Sequence, residues 1–245
     1  MASKWNVAML AGKWAVVTGA TSGIGESIVF ALAGQGCNLT LLGRDAGKLQ
    51  RLLSMLPAVH GKTYAVDLFD ALAVTNCAQQ LAGLPQVDLL VHCAGYIYLG
   101  SVETTPDHEL DQQFAVNVKA PWILTRALLP SLRRSCGQVV FINSSAALGS
   151  ARAQLGSYAA SKFALKAMAD SLRDEVNKDS VRVISIYPGR TATPMQAAVH
   201  SHEGKTYRPE DLLQPEDVAQ SVLHALLLPT TAEVTDIAIR PMRKM

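Results

Sequence analysis

Tyr158 and Lys162 stand four residues apart in the run Tyr-Ala-Ala-Ser-Lys. On a helix that spacing puts both side chains on one face, a turn apart. A free phenol, with a pKa of roughly 10, is a poor proton donor or acceptor at neutral pH. A nearby ammonium stabilises phenolate and lowers that value. The pair can therefore do acid–base chemistry on an oxygen. It can also be two unrelated residues on an amphipathic helix whose apolar stripe is Leu165, Met168, Leu172 and Val176. Five residues alone do not separate the two readings.

A second chemical stretch lies near the start, in Thr18-Gly19-Ala20-Thr21-Ser22-Gly23-Ile24-Gly25. Glycines between a strand and a helix let backbone approach a phosphate, and the helix N-terminus adds free N–H groups and partial positive charge. The spacing is Gly-x-x-x-Gly-x-Gly rather than the commoner Gly-x-Gly-x-x-Gly. Farther on, Leu42-Gly43-Arg44 occupies the position where an acidic residue would read a free ribose 2′-hydroxyl. Arg44 instead suits a 2′-phosphate, through two parallel N–H···O bonds, and this favours NADP(H). Asp45 is read as the cap of the next helix. Asp67 and Leu68 follow the third strand, where they would meet an adenine ring.

These groups need a scaffold. Short apolar runs, mostly continuous, predict strands at 14–18, 38–42, 63–66, 87–93, 138–143, 182–187 and 234–240. Helical patterns lie between them at 24–34, 46–55, 71–81, 106–132, 157–177 and 215–228. Alternating β and α units predict an α/β fold: a Rossmann-type, doubly wound parallel sheet of about seven strands with helices on both faces. A single domain over 1–245 is expected, with an irregular, mobile substrate-lid loop near 189–214.

Composition narrows the function classes. Of 245 residues, 49% are hydrophobic and 17% charged, with a net charge of +2. That is enough for a sizeable core and too apolar for disorder. No basic run of nucleic-acid type occurs, and Arg240, Arg243 and Lys244 read as a solvated tail. Cys37, Cys77, Cys93 and Cys136 have no metal-ligand spacing, so no metal site is expected. Three of them sit in apolar segments, as in a reducing compartment. No apolar run follows Lys4 and none reaches the ~20 residues of a membrane span; a cytoplasmic protein with no nucleic-acid or membrane partner is expected.

Thr18–Gly25, Asp67, Ala94-Gly95, Asn117, Ser144-Ser145, Tyr158-x-x-x-Lys162 and Pro188-Gly189 with Thr193 resemble, in order, the short-chain dehydrogenase/reductase family in its shorter single-domain form. The resemblance implies an NADP(H)-dependent oxidoreductase acting on a carbonyl or secondary alcohol. It implies Tyr158 as general acid or base and Lys162 as the residue that holds the nicotinamide ribose and lowers the phenol pKa. Ser145, thirteen residues before Tyr158, is the expected partner of the substrate oxygen, with Ser144 the competing candidate. Asn117 resembles the residue that kinks its helix and holds a proton-relaying water. Gly19, Thr21, Ser22, Gly23, Ile24, Gly25, Arg44, Asp67, Leu68, Ala94, Gly95, Asn117, Tyr158, Lys162, Pro188, Gly189, Thr191 and Thr193 are the implied cofactor contacts.

One departure stands out: His92-Cys93-Ala94-Gly95 replaces the family's usual Asn-Asn-Ala-Gly. Cys93 takes the place of an asparagine that steadies neighbouring strand ends, and His92 is expected to point into the fold. Tyr96, Ile97, Tyr98, Leu148, Arg152, Leu155 and the 189–206 loop are the expected substrate lining. It is largely apolar, with His200, His202 and Lys205 as solvated lid residues. Alanine-bearing faces on the helices at 106–132 and 157–177, and family habit, predict a homodimer or homotetramer. A non-catalytic NADP(H)-binding regulator on the same fold is the alternative, and a nucleotide-sugar epimerase is disfavoured by the glycine spacing and the short C-terminal region.

Overall fold

A computed structural model describes residues 10–57, 59–149 and 152–243; Lys4 and Lys244 lie outside the described residues. Seven strands are β1 (Trp14–Thr18), β2 (Asn38–Gly43), β3 (Gly61–Ala65), β4 (Leu89–His92), β5 (Gln138–Ile142), β6 (Arg182–Pro188) and β7 (Asp236–Ile239). They form one parallel sheet in the order β3-β2-β1-β4-β5-β6-β7. The inner strands read as continuous apolar runs because both faces are covered. Along β5, Val140 and Ile142 enter one core layer, with Ile28, Leu32, Val218 and Val222. Val139 and Phe141 enter the other, with Val74, Leu128 and Leu165.

The covering helices are α1 (Gly23–Gly34), α2 (Ala46–Met55), α3 (Ala71–Ala82), α4 (Asp107–Phe114), α5 (Ala120–Ser135), α6 (Gly156–Val176), α7 (Pro194–His202) and α8 (Pro215–Leu226). Their starts follow from sequence. The Asp45 side chain accepts from Lys48 N at 2.9 Å, and Asp70 accepts from Leu72 N and Ala73 N. Gln214 and Asp217 cap α8 reciprocally, with Pro215 at its first turn.

Strand order reverses between β1 and β4, and a crevice opens there beyond the strands' C-terminal ends. Thr18 ties the two sides together: its Oγ1 accepts from Cys93 N at 3.1 Å and Ala94 N at 3.2 Å. The main chain at Cys93 is thus held although the asparagine is missing.

Two expectations need correction. The helix predicted over 106–132 is broken by a π-helical turn at Ala115–Lys119. Pro121 lacks the N–H that an α-helix would give to the Asn117 carbonyl, so the regular ladder cannot pass this point. The stretch 189–214, expected as irregular loop, contains α7 and a 3₁₀ turn at Pro209–Asp211. Thr193 caps α7 by accepting from Gln196 N at 3.2 Å, and Pro194 supplies the first turn. The base of the segment is closed where Leu213 N donates to Arg190 O and Ala192 N donates to Leu213 O.

Candidate active site

The crevice is a cleft of about 1000 Å³. Its floor at one end is the glycine turn. Gly19 and Gly23 have φ of 65° and 54°, in the left-handed region. A Cβ at Gly19 would stand 2.7 Å from Ala94 N, and one at Gly25 would run into the Gly19 carbonyl. Backbone from β1, α1 and the β4 end can approach this closely only without side chains there. Ser22, at the start of α1, makes no side-chain cap, so the first-turn N–H groups stay free for an anion. A Cβ at Gly23 would sit 2.8 Å from Thr193 Cγ2, so the starts of α1 and α7 meet across the cleft.

At the other end α6 presents Tyr158 in its first turn and Lys162 one turn later. The Lys162 Nζ lies 5.9 Å from the Tyr158 ring centroid and donates to Ile142 O at 3.1 Å. The ammonium is 3% exposed. Burial lowers its pKa to about 8. Burial also pushes the Tyr158 phenol above its ordinary value, and a hydrogen bond with Ser144 pulls it partway back. The phenol is therefore not acidified as the Tyr/Lys spacing suggests, because burial outweighs the Ser144 hydrogen bond.

Ser144, not Ser145, meets Tyr158. Ser144 ends the run out of β5, and its Oγ also accepts from Ala146 N at 3.1 Å. Ser145 begins a 3₁₀ turn, is exposed, and its side chain makes no hydrogen bond among the described residues.

Asn117 is fully buried in the π turn. Its amide takes both backbone groups of Tyr96, accepting from N at 2.9 Å and donating to O at 2.8 Å. It also donates to Ser161 Oγ at 2.9 Å, and Ser161 donates to Tyr158 O at 2.7 Å. Asn117 thus stands behind the wall that carries Tyr158 and Lys162, and does not line the cleft itself.

The cleft gathers Gly19, Thr21, Ser22, Gly23, Ile24, Gly25, Arg44, Asp67, Leu68, Ala94, Gly95, Pro188, Gly189, Thr191 and Thr193. It also holds Phe69, which sequence reasoning missed; the Arg44 guanidinium lies 5.8 Å over its ring. Of the expected substrate lining, Tyr96, Ile97, Arg152 and Leu155 face the cleft, whereas Tyr98 and Leu148 do not. Met195, Gln196 and Val199 of α7 add to it.

His200 is a correction: it is 2% exposed rather than solvated, with Nδ1 2.9 Å from Gln196 O and its ring against Tyr207. Lys205 pairs with Glu203 at 2.8 Å, and Arg190 pairs with the same carboxylate at 2.6 Å. These partners hold the Glu203 carboxyl down at about 2. No sequence signal joined Arg190 to Glu203.

His92 points into the fold as expected, stacked on Phe141 at 5.0 Å with Nε2 2.8 Å from Thr125 Oγ1. Burial pushes the Cys93 thiol up to about 12, which leaves no thiolate at neutral pH. Among the described residues no cluster of three metal-ligating side chains occurs, and no helix is long and apolar enough to cross a membrane.

Residues 13–204 match the sequence model of a family described as short chain dehydrogenase. An uncharacterised oxidoreductase of Staphylococcus aureus strain MRSA252 is 32% identical over 240 residues, covering 96% of this chain and 99% of its own. A putative short chain dehydrogenase from Escherichia coli CFT073, solved with NADPH, superposes with a TM-score of 0.85 at 30% identity, over 95% of this chain and 98% of that one. An alcohol dehydrogenase from the archaeon Thermococcus sibiricus, solved with 5-hydroxy-NADP, gives a TM-score of 0.84 at 27% identity, over 95% and 98%.

Proposed function

The chain belongs to the short-chain dehydrogenase family, and on that footing we propose that it is an NADP(H)-dependent oxidoreductase acting on a carbonyl or secondary alcohol. The observation that carries this reading is one wall with Ser144, Tyr158 and Lys162 at the far end of a cleft whose near end is a side-chain-free glycine turn. A dinucleotide fits that turn: the open first turn of α1 would take its pyrophosphate, and Arg44 would take the 2′-phosphate. When bound, the cofactor supplies the hydride.

The chain's own residues handle the oxygen and the proton. Ser144 Oγ would donate to the substrate oxygen as charge develops there. Tyr158 would give its proton to that oxygen. Its raised pKa keeps the proton on the phenol until it is needed. Lys162 stabilises the phenolate that forms, and so acts more strongly on the transition state than on the ground state. Asn117 fixes Ser161 and the Tyr96 backbone and so holds this wall in place. In our reading the segment from Arg190 to Leu213 is a lid over the substrate, since its α7 lines the cleft. The protein would act as a homo-oligomer, because α5 and α6 leave Trp122 (55%) and Phe163 (42%) exposed on helices that pack into one core layer.

NADPH oxidation over a panel of carbonyl compounds tests the reading, with Tyr158→Phe beside the wild type. The variant should keep NADPH binding and lose turnover by ~10²-fold or more, the usual contribution of a positioned acid. Turnover near wild type would remove Tyr158 from the mechanism. NADPH binding without turnover on any carbonyl would favour a regulator.

A further inference from the structure

We propose that the substrate carries a carboxylate and that Arg152 receives it; this rests on the oxidoreductase reading above. Six cationic side chains line the cleft: Arg44, Arg152, Lys162, Arg190, Arg240 and Arg243. Most have a partner or a place in the proposed chemistry. Arg190 is paired with Glu203. Arg243 lies 3.7 Å from Asp211. Lys162 donates to Ile142 O beside Tyr158. Arg44 sits over Phe69 at the end of β2, away from Tyr158 in the chain's layout. Arg240 follows β7, beside Gly189 at the end of β6, and so lies outside the loop that joins Ser144 to Tyr158. Arg152, exposed at the cleft, has no carboxylate partner among the described residues and is the one cation in the loop between Ser144 and Tyr158.

Its place is what gives the charge meaning. Arg152 lies in the loop that joins Ser144 to Tyr158, the two residues proposed to hold the reacting oxygen. The loop is held at this point. The Arg152 carbonyl accepts from Leu155 N at 3.1 Å, closing a turn into α6. Within that turn Gln154 has φ of 65°, a conformation that residues with side chains seldom adopt. The Gln154 carbonyl accepts from Gly100 N at 3.0 Å, which ties the turn to the segment between β4 and α4. A cation on a fixed turn loses less freedom on pairing than one on a loose loop.

The cleft also carries apolar side chains, Ile97, Leu155, Met195 and Val199, with the ring of Tyr96; Gln196 is a neutral polar neighbour, and the Glu203 carboxylate is already paired with Arg190 and Lys205. Tyr96 does not offer a free hydroxyl, because its OH donates to Glu109 at 2.7 Å. An apolar body bearing one anion matches this lining. A single guanidinium fork suits the planar, two-oxygen geometry of a carboxylate. The predicted class is thus an apolar oxo-acid or hydroxy-acid rather than a neutral ketone.

The test compares matched pairs on the same enzyme: 4-formylbenzoate, 4-oxopentanoate and 4-oxo-4-phenylbutanoate, each against its methyl ester, with NADPH. In the wild type at least one acid should exceed its ester in kcat/KM by about tenfold, the effect of one charge-assisted pair in a part-open site. In Arg152→Gln that ratio should fall toward one, and in Arg152→Lys part of it should return. Acid and ester are measured on one preparation, so a general loss from poor folding cancels in the ratio. Equal use of acids and esters by the wild type, or a ratio that Arg152→Gln leaves unchanged, overturns the carboxylate proposal while the oxidoreductase reading stands. No turnover on any member, with NADPH bound, overturns both.

Discussion

Ser144→Ala against Ser145→Ala is the sharpest single comparison. The Ser144 hydroxyl has two partners: it accepts from Ala146 N at 3.1 Å and hydrogen-bonds Tyr158, drawing the phenol pKa down against burial. Removing it takes one donor from the site where negative charge develops. Loss of such a donor costs ~10²–10³-fold in kcat, and an open cleft argues for the lower figure. The same change uncaps a single 3₁₀ turn, which should cost about 1 kcal/mol of stability. For a chain of this size that is a fall of roughly 2–4 °C in Tm. Ser145 is exposed, and its side chain holds nothing among the described residues, so Ser145→Ala should leave both rate and Tm near wild type. Initial rates of NADPH oxidation at saturating cofactor, together with thermal melts, separate the two effects. A large kcat loss in Ser145→Ala with Ser144→Ala near wild type would refute the strand-based assignment and restore the residue count.

Three further outcomes are expected. Arg44→Asp should move the NADPH-to-NADH preference by ten- to a hundredfold toward NADH, since it replaces a charged hydrogen bond by repulsion; an unchanged ratio of kcat/KM values would show that Arg44 does not read the phosphate. Burial lowers the His92 pKa from 6.5 to about 3, so the unfolded chain binds this proton first. The contribution is full well above pH 6.5 and declines as pH falls toward 3, by roughly 1.5 kcal/mol between pH 6.5 and 5. Urea unfolding at those two pH values should show His92→Phe losing that part of the slope, and an identical slope would assign the acid sensitivity elsewhere. Sedimentation should find the wild type as an oligomer that Trp122→Glu with Phe163→Glu dissociates; a wild-type monomer would contradict the exposed-aromatic reading.

Tyr158 and Lys162 were legible because both lie on one helix, where four residues always mean one turn. The glycine turn was legible because its backbone needs no side chains, and the strands because their runs are apolar on both faces. The choice between Ser144 and Ser145 was not legible, because a count across a loop measures chain length, not position. The π turn had a signal in Pro121, four residues after Asn117, and α7 had one in Thr193-Pro194, but neither shows as apolar periodicity. Arg190 and Glu203 meet only because the chain folds back between them, so no local pattern could pair them. The phenol is the most instructive case. Its neighbours could be read from sequence, but the sign of its pKa shift could not, because that sign is a competition between burial and a hydrogen bond from Ser144. Here burial wins over the Ser144 hydrogen bond. A bound oxidised nicotinamide would add positive charge beside the same hydroxyl without undoing its burial. The phenol should therefore be most acidic when the reverse, alcohol-oxidising step needs a base.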